Sequence, residues 1–166
     1  MSKTNSAPDH VRFCVRCGTA VQPKLVGDKV RKVCPHCGFI HFTDPKVGVG
    51  VLVLNEAGEL LLVRRTMHPE IGRWSLPAGY VDHGEEPKST AVREVLEETG
   101  LHVHIEALID VYHNPPTQGG ASIFILYKGS LLGGELKAGD DADAVAFFSL
   151  DALPDVAFAS TQAAIA

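Results

Sequence analysis

No run in the 166-residue chain approaches the ~18 consecutive apolar residues of a membrane-spanning helix. The opening stretch MSKTNSAPD likewise lacks the apolar core of a secretory signal. A cytoplasmic setting with no membrane partner is therefore expected. Internal repeats and low-complexity tracts are missing as well, which excludes a repeat architecture. Excess positive charge is missing too: the net charge is −5, so the chain as a whole has no electrostatic reason to take a nucleic-acid polymer as partner. Cysteine is absent after residue 37, and tryptophan occurs once, at Trp74. What remains, 45% apolar and 21% charged residues, is the balance of a soluble globular protein, with length for one ordinary domain plus a small module.

All four cysteines fall within residues 14–37, as Cys14-x2-Cys17, sixteen residues, then Cys34-x2-Cys37, each pair followed by a glycine, Gly18 or Gly38. That is the spacing of a tetrahedral zinc site built from two turns; disulfides are the alternative, disfavoured in a reducing compartment. Four thiolates close the coordination shell, so the zinc is expected to be structural and to supply much of the folding energy of so short a segment. His36 and His41 are read as surface residues. Arg12, Arg16, Lys24, Lys29, Arg31 and Lys32 make the segment locally positive, which is read as a solvated surface more readily than as a nucleic-acid contact.

Residues 79–101, GYVDHGEEPKSTAVREVLEETGL, organise the rest. Pro87 suits a first helical turn, where its missing N–H costs nothing, and Gly100 suits a left-handed cap. Between them the pattern predicts a helix of roughly three to four turns. Arg93, Glu94, Glu97 and Glu98 fall on one side, with Lys88, Ala91, Val92, Val95 and Leu96 on the other. Glutamates three and four apart repel by roughly 0.2–0.5 kcal/mol per pair, with Arg93 alone among them as counter-charge. Hard cations such as Mg²⁺ take carboxylate oxygens, so the cluster suits either a metal that also binds phosphate or a solvated helix face.

The same stretch resembles the signature of the Nudix hydrolases. Gly79, Glu85, Arg93, Glu94, Val95, Glu97, Glu98, Gly100 and Leu101 fill every fixed position of that 23-residue pattern in order. The resemblance covers roughly residues 43–160 and implies an α/β fold, the Nudix α/β/α sandwich with a mixed sheet, behind a zinc ribbon. It also implies Glu97 and Glu98 as main ligands of Mg²⁺ or Mn²⁺, Glu94 as a further ligand or base, the Gly79 carbonyl as an additional ligand, and Glu85 with Arg93 as a brace between loop and helix. The chain divides accordingly into a disordered tail at 1–9, a zinc ribbon at 10–42 and a Nudix domain at 43–166.

Along that domain, VGVGVLVLN at 47–55 and ELLLVRR at 59–65 predict a hairpin or neighbouring strands. Arg64 and Arg65 at its end are candidates for substrate phosphate or for surface ion pairs. Trp74 either packs the sheet or borders the substrate. Residues 102–113 and 121–131 read as strands, Asn114–Gly120 as a loop, and His102 and His104 as sharing a solvent-facing strand side, with His113 a further unassigned histidine. A last strand is expected from Ala144, then a short turn at Asp151–Leu153 and a final helix. Relatives often carry a glutamate just before that last strand. Here Ala144 stands there, so Asp141 is the preferred late carboxylate, with Glu135 as alternative, and Glu94 or Asp141 is expected to take the water proton.

A zinc ribbon before a Nudix domain resembles NADH pyrophosphatases and ADP-ribose or FAD pyrophosphatases. The NADH group's string after the box is missing from YHNPPTQGGAS, whereas AFAS near the C-terminus resembles the second group. Hydrolysis of ADP-ribose or FAD to AMP and the other phosphate half is the expectation, followed by NADH and then oxidised nucleotide triphosphates. A nucleotide-sensing binding module is the non-enzymatic alternative, and a homodimer is a plausible assembly.

Overall fold

The computed structural model describes residues 11–114 and 121–165, so the expected N-terminal tail and most of the Asn114–Gly120 loop lie outside the described residues. The chain divides into two compact units, Met1–Asp44 and Pro45–Ala166. No helix among the described residues is long and apolar enough to cross a membrane.

The first unit is a three-stranded antiparallel sheet, β1 (Gln22–Val26), β2 (Lys29–Val33) and β3 (Ile40–His41), in that order. Its two cysteine turns are built alike. Gly18 and Gly38, both at φ 72°, donate to the carbonyls of Cys14 and Cys34 at 2.9 and 3.1 Å. A side chain would be strained in that left-handed backbone, so each Cys-x2-Cys pair is followed by the residue the turn requires.

The second unit holds β4 (Val47–Val53), β5 (Leu60–Arg65), β6 (Trp74–Ser75), β7 (Ala78–Tyr80), α1 (Pro87–Thr99), β8 (Leu101–His113), β9 (Ile123–Gly134), β10 (Ala142–Phe148) and α2 (Ala159–Ile165). These form a mixed sheet β7-β4-β9-β8, in which β4 and β9 are parallel, and an antiparallel sheet β10-β5-β6. Because strand side chains alternate, β5 and β9 each serve two cores. Val49, Val51, Val53, Leu61 and Tyr127 pack with Ala91 and Val95 of α1, while Leu60, Leu62 and Leu126 form a second core that Ala164 and Ile165 of α2 join. The mixed α/β sandwich follows from that alternation.

The expectation of a hairpin or neighbouring strands at 47–55 and 59–65 is corrected: one antiparallel bridge, Leu54 to Leu60, closes the turn, and β4 and β5 on either side of it lie in different sheets. Both runs are apolar on both faces, so periodicity could not say which neighbour each strand pairs with.

The glycines of β4 have a packing reason. A Cβ on Gly50 would meet Cζ of Phe124 at 2.5 Å, and one on Gly48 would meet Cβ of Ala121 at 2.9 Å. Bare backbone there lets Phe124 lie across the strand.

Candidate active site

Helix α1 starts where its local chemistry places it. Glu86 caps it by accepting the Ser89 N–H at 2.8 Å, Pro87 opens it, and Gly100 at φ 71° closes it with an N–H to the Leu96 carbonyl at 2.9 Å. The division of its faces differs from expectation. Glu94 and Glu98 are 8% and 2% exposed and share the buried stripe with Thr90, Ala91, Val95 and Thr99, whereas Leu96 is 40% exposed. A solvated acidic face is excluded for those two carboxylates. The angular order follows from the helical repeat; which arc faces the sheet is set by β4, β7 and β8 packing against the helix.

Each buried carboxylate has a specific setting. Glu98 accepts the Ala78 N–H at 2.9 Å and faces the side chain of Asp141. Burial pushes its carboxyl well above the usual range, Asp141 adds to that, and the Ala78 N–H opposes it. Burial likewise raises Glu94, opposed by Arg93 and reinforced by Glu97 and Asp140. Arg93 is a fork across the loop and helix: it donates to Glu94 at 2.9 Å, Glu97 at 2.8 Å and Glu85 at 3.0 Å. Glu85 in turn accepts from the Asp82 N–H at 3.1 Å and the Thr90 hydroxyl at 3.0 Å.

The late acidic segment runs along the C-terminal end of α1, with the Lys137 and Gly139 N–H groups donating to the Thr99 and Glu98 carbonyls at 2.9 and 3.1 Å. It brings Asp140 to the helix, and oxygens of Glu94, Glu97 and Asp140 all lie within 4.8 Å of one another. Asp140 is a residue that sequence reading missed. Asp141, the expected contributor, lies beside Glu98 instead, and Glu135 is exposed, with its carbonyl next to Gly100. The adjacent pair Asp140–Asp141 was the available signal, but only the left-handed backbone of Asp140, φ 48°, shows how the two divide.

A cavity of about 290 Å³ adjoins these carboxylates, with Gly79 and Asp141 in its wall. Arg65 lines it, fixed by Nε to the Pro69 carbonyl at 2.9 Å and lying 5.1 Å from the Phe158 ring centroid. Met67, His68, Tyr80 and Phe158 are further lining residues that carried no sequence signal.

Two expected substrate contacts are engaged elsewhere. Arg64 pairs with Asp143 at 2.7 Å on the surface, and Trp74 packs edge-on against Phe148 at 4.7 Å in the second core. His102, His104 and His113 are exposed on β8, and no histidine joins a metal-competent cluster among the described residues.

In the first unit, the sulfurs of Cys14, Cys17, Cys34 and Cys37 converge, with separations of 3.5–3.6 Å for Cys17–Cys34, Cys14–Cys37 and Cys17–Cys37. A tetrahedral zinc with bonds of about 2.3 Å sets its sulfurs roughly 3.8 Å apart, so the four thiols fit that ion. For the second cluster, three carboxylates with buried Glu98 nearby are an oxygen donor set suited to a hard divalent cation.

Comparison with known proteins agrees with this geometry. The profile of the family described as NUDIX domain matches residues 44–165, and that described as Nudix N-terminal matches residues 12–43. The ADP-ribose pyrophosphatase of Methanocaldococcus jannaschii is 40% identical over 118 residues, 70% of this chain and 69% of that protein. The NAD-capped RNA hydrolase NudC of Pseudomonas aeruginosa is 33% identical over 147 residues, 87% of this chain but 50% of the relative, so the chain spans half that protein's length. The crystal structure of a NUDIX hydrolase from Nitrosomonas europaea superposes with a TM-score of 0.83 at 33% identity, covering 92% of this chain and 86% of that one. With most of its length matched and its carboxylates gathered on α1, the chain belongs to the NUDIX domain family, as a pyrophosphohydrolase preceded by that family's N-terminal zinc ribbon.

Proposed function

We propose that this chain hydrolyses the diphosphate of ADP-ribose or FAD, releasing AMP and the other phosphate half, with Mg²⁺ or Mn²⁺ as cofactor. The observation that carries this reading is the convergence of Glu94, Glu97 and Asp140 beside a cavity whose wall contains Asp141 and a fixed Arg65. When bound, the divalent cation supplies charge neutralisation for the diphosphate and acidifies water. Glu94, Glu97 and Glu98 would hold it, joined by Asp140 and the Gly79 carbonyl. Arg93 and Glu85 brace the loop against the helix. Asp141 accepts the proton of the attacking water, with Glu94 as the other candidate, a contribution of about 10²–10⁴-fold. Arg65 meets a phosphate oxygen, since among the described residues it has no carboxylate partner to compete.

The choice of ADP-ribose draws support from the Methanocaldococcus relative, an ADP-ribose pyrophosphatase. The Pseudomonas relative supports a second reading, an NADH or NAD-capped substrate. A structural zinc in the ribbon and the free state of all four cysteines suit a reducing cytoplasm; a homodimer is proposed only on the general prevalence of twofold assemblies. The test is product analysis by phosphorus NMR and chromatography, with Mg²⁺ or Mn²⁺ and, separately, ADP-ribose, FAD, NADH and an oxidised dGTP, beside a Glu97→Gln control. AMP from ADP-ribose or FAD, absent in the control, supports the assignment. Selective NADH cleavage moves it to the second reading, and nucleotide binding without turnover of any substrate overturns both.

A further inference from the structure

The ribbon carries a charge and ring pattern that zinc binding does not use. Residues 12–43 hold six basic side chains, Arg12, Arg16, Lys24, Lys29, Arg31 and Lys32, against one acidic one, Asp28. The rest of the chain is strongly acidic, since the total is −5. Among the described residues, Arg64, Arg73, Arg93 and Lys128 of the second unit form ion pairs, while Lys46, Arg65, Lys88 and Lys137 do not; none of the six ribbon cations does.

Their placement is ordered. In the register of β1 and β2, Lys24 lies opposite Arg31, and Val26 opposite Lys29. Directly opposed residues share a face, so Lys24, Lys29 and Arg31 stand together on one side of the hairpin. Like charges in directly opposed positions destabilise a sheet, so stability does not account for the pair. The Arg31 guanidinium lies 4.5 Å from the centroid of the Phe42 ring, which is 53% exposed. Phe42 also borders an open groove with Phe39 and Ile40, and there Arg16 lies 5.4 Å from the Phe39 centroid. One carboxylate, Asp44, borders the same groove. The cationic hairpin face therefore runs into a groove with two phenylalanine rings, each accompanied by an arginine.

We propose that this surface of the ribbon binds single-stranded nucleic acid, the cations tracking phosphates and the rings of Phe42 and Phe39 stacking bases. Cations beside aromatic rings are what a sequence-tolerant single-strand groove requires, because every base has a flat face and every nucleotide a charge. A solvated surface explains the charges alone; it does not explain an arginine set over each of the two rings that border the groove.

The test uses the full zinc-loaded chain and fluorescence anisotropy with labelled single-stranded RNA and DNA oligonucleotides across a salt series. Binding is expected to weaken with salt, each phosphate contact contributing about 0.7 to the log–log slope. Phe42→Ala is expected to weaken it by about 5- to 150-fold, the range of one lost base stack. Lys24→Glu with Lys29→Glu, both on the exposed hairpin, is expected to abolish it and guards against a folding effect of Phe42→Ala. Both variants should keep one zinc per chain and unchanged ADP-ribose turnover. No binding by the wild type at moderate salt overturns the proposal. So does binding that Phe42→Ala leaves unaltered, or equal affinity for polyphosphate, because either makes the surface a plain basic patch.

Discussion

The backbone of Gly79 lies directly against the carboxylate of Glu94: a Cβ on Gly79 would meet Cδ at 2.0 Å and Oε1 at 2.1 Å. Strand β7 and helix α1 thus touch at the candidate site through an atom that any other residue would displace. Gly79→Ala is expected to push the Glu94 carboxylate or β7 aside and lower kcat by about 10²-fold, the scale of an ångström's misplacement. Steady-state kinetics with a thermal melt would check it; a folded variant with full activity would sink the idea.

Asp140 and Asp141 should separate by function. Asp140→Asn is expected to weaken Mn²⁺ binding, roughly tenfold, because it removes one charge from the cluster with Glu94 and Glu97. Asp141→Asn is expected to lower kcat by about 10²–10⁴-fold with a smaller effect on Mn²⁺ affinity. Calorimetric titration of Mn²⁺ beside the kinetics decides, and the reverse pattern would exchange their roles.

Glu85 offers a test of the brace in the acid range. Its carboxyl is held below the usual range, first by the Asp82 N–H and then by Arg93 and Thr90. A depressed folded pKa contributes stability that is present above the ordinary glutamate value and is lost as pH falls through the folded value. The melting-temperature difference between wild type and Glu85→Gln should therefore be steady near neutrality and shrink below about pH 4.5. A difference that stays constant down to pH 3 would contradict it.

Gly50→Ala places a Cβ 2.5 Å from Cζ of Phe124. Overpacking of this kind costs about 1–3 kcal/mol. Denaturant melts should show that loss, and Phe124→Leu in the same chain should recover part of it; purely additive losses would mean that the ring is not the obstacle.

Cys34 is 1% exposed and belongs to the four-thiol cluster. Cys34→Ser is expected to take the zinc content from one per chain to none and to open Lys24, Lys29, Arg31 and Lys32 to trypsin, the outcome for a short unit whose folding energy comes from bound metal. Unchanged digestion rates would argue that the sheet folds without metal.

Local chemistry made a good part of this protein legible. The bounds of α1 were readable because a proline that suits the first turn and a glycine that suits a left-handed cap act within a residue or two of where they stand. The four-thiol cluster was readable because two Cys-x2-Cys-Gly turns are self-contained. Burial was not. Nothing within residues 87–99 says that Glu94 and Glu98 face inward, because that depends on β4 and β7 arriving from elsewhere in the chain.

By itself, then, the sequence determined the family, the zinc ribbon, the acidic helix and its ends, since each rests on residues close together in the chain. Only the tertiary structure decided that β4 and β5 part into separate sheets, that Trp74 and Arg64 are engaged away from the cavity, and that Asp140 joins the helix carboxylates while Asp141 faces Glu98. Those outcomes come from side chains distant in sequence competing for the same space. A local pattern carries no record of which of them wins.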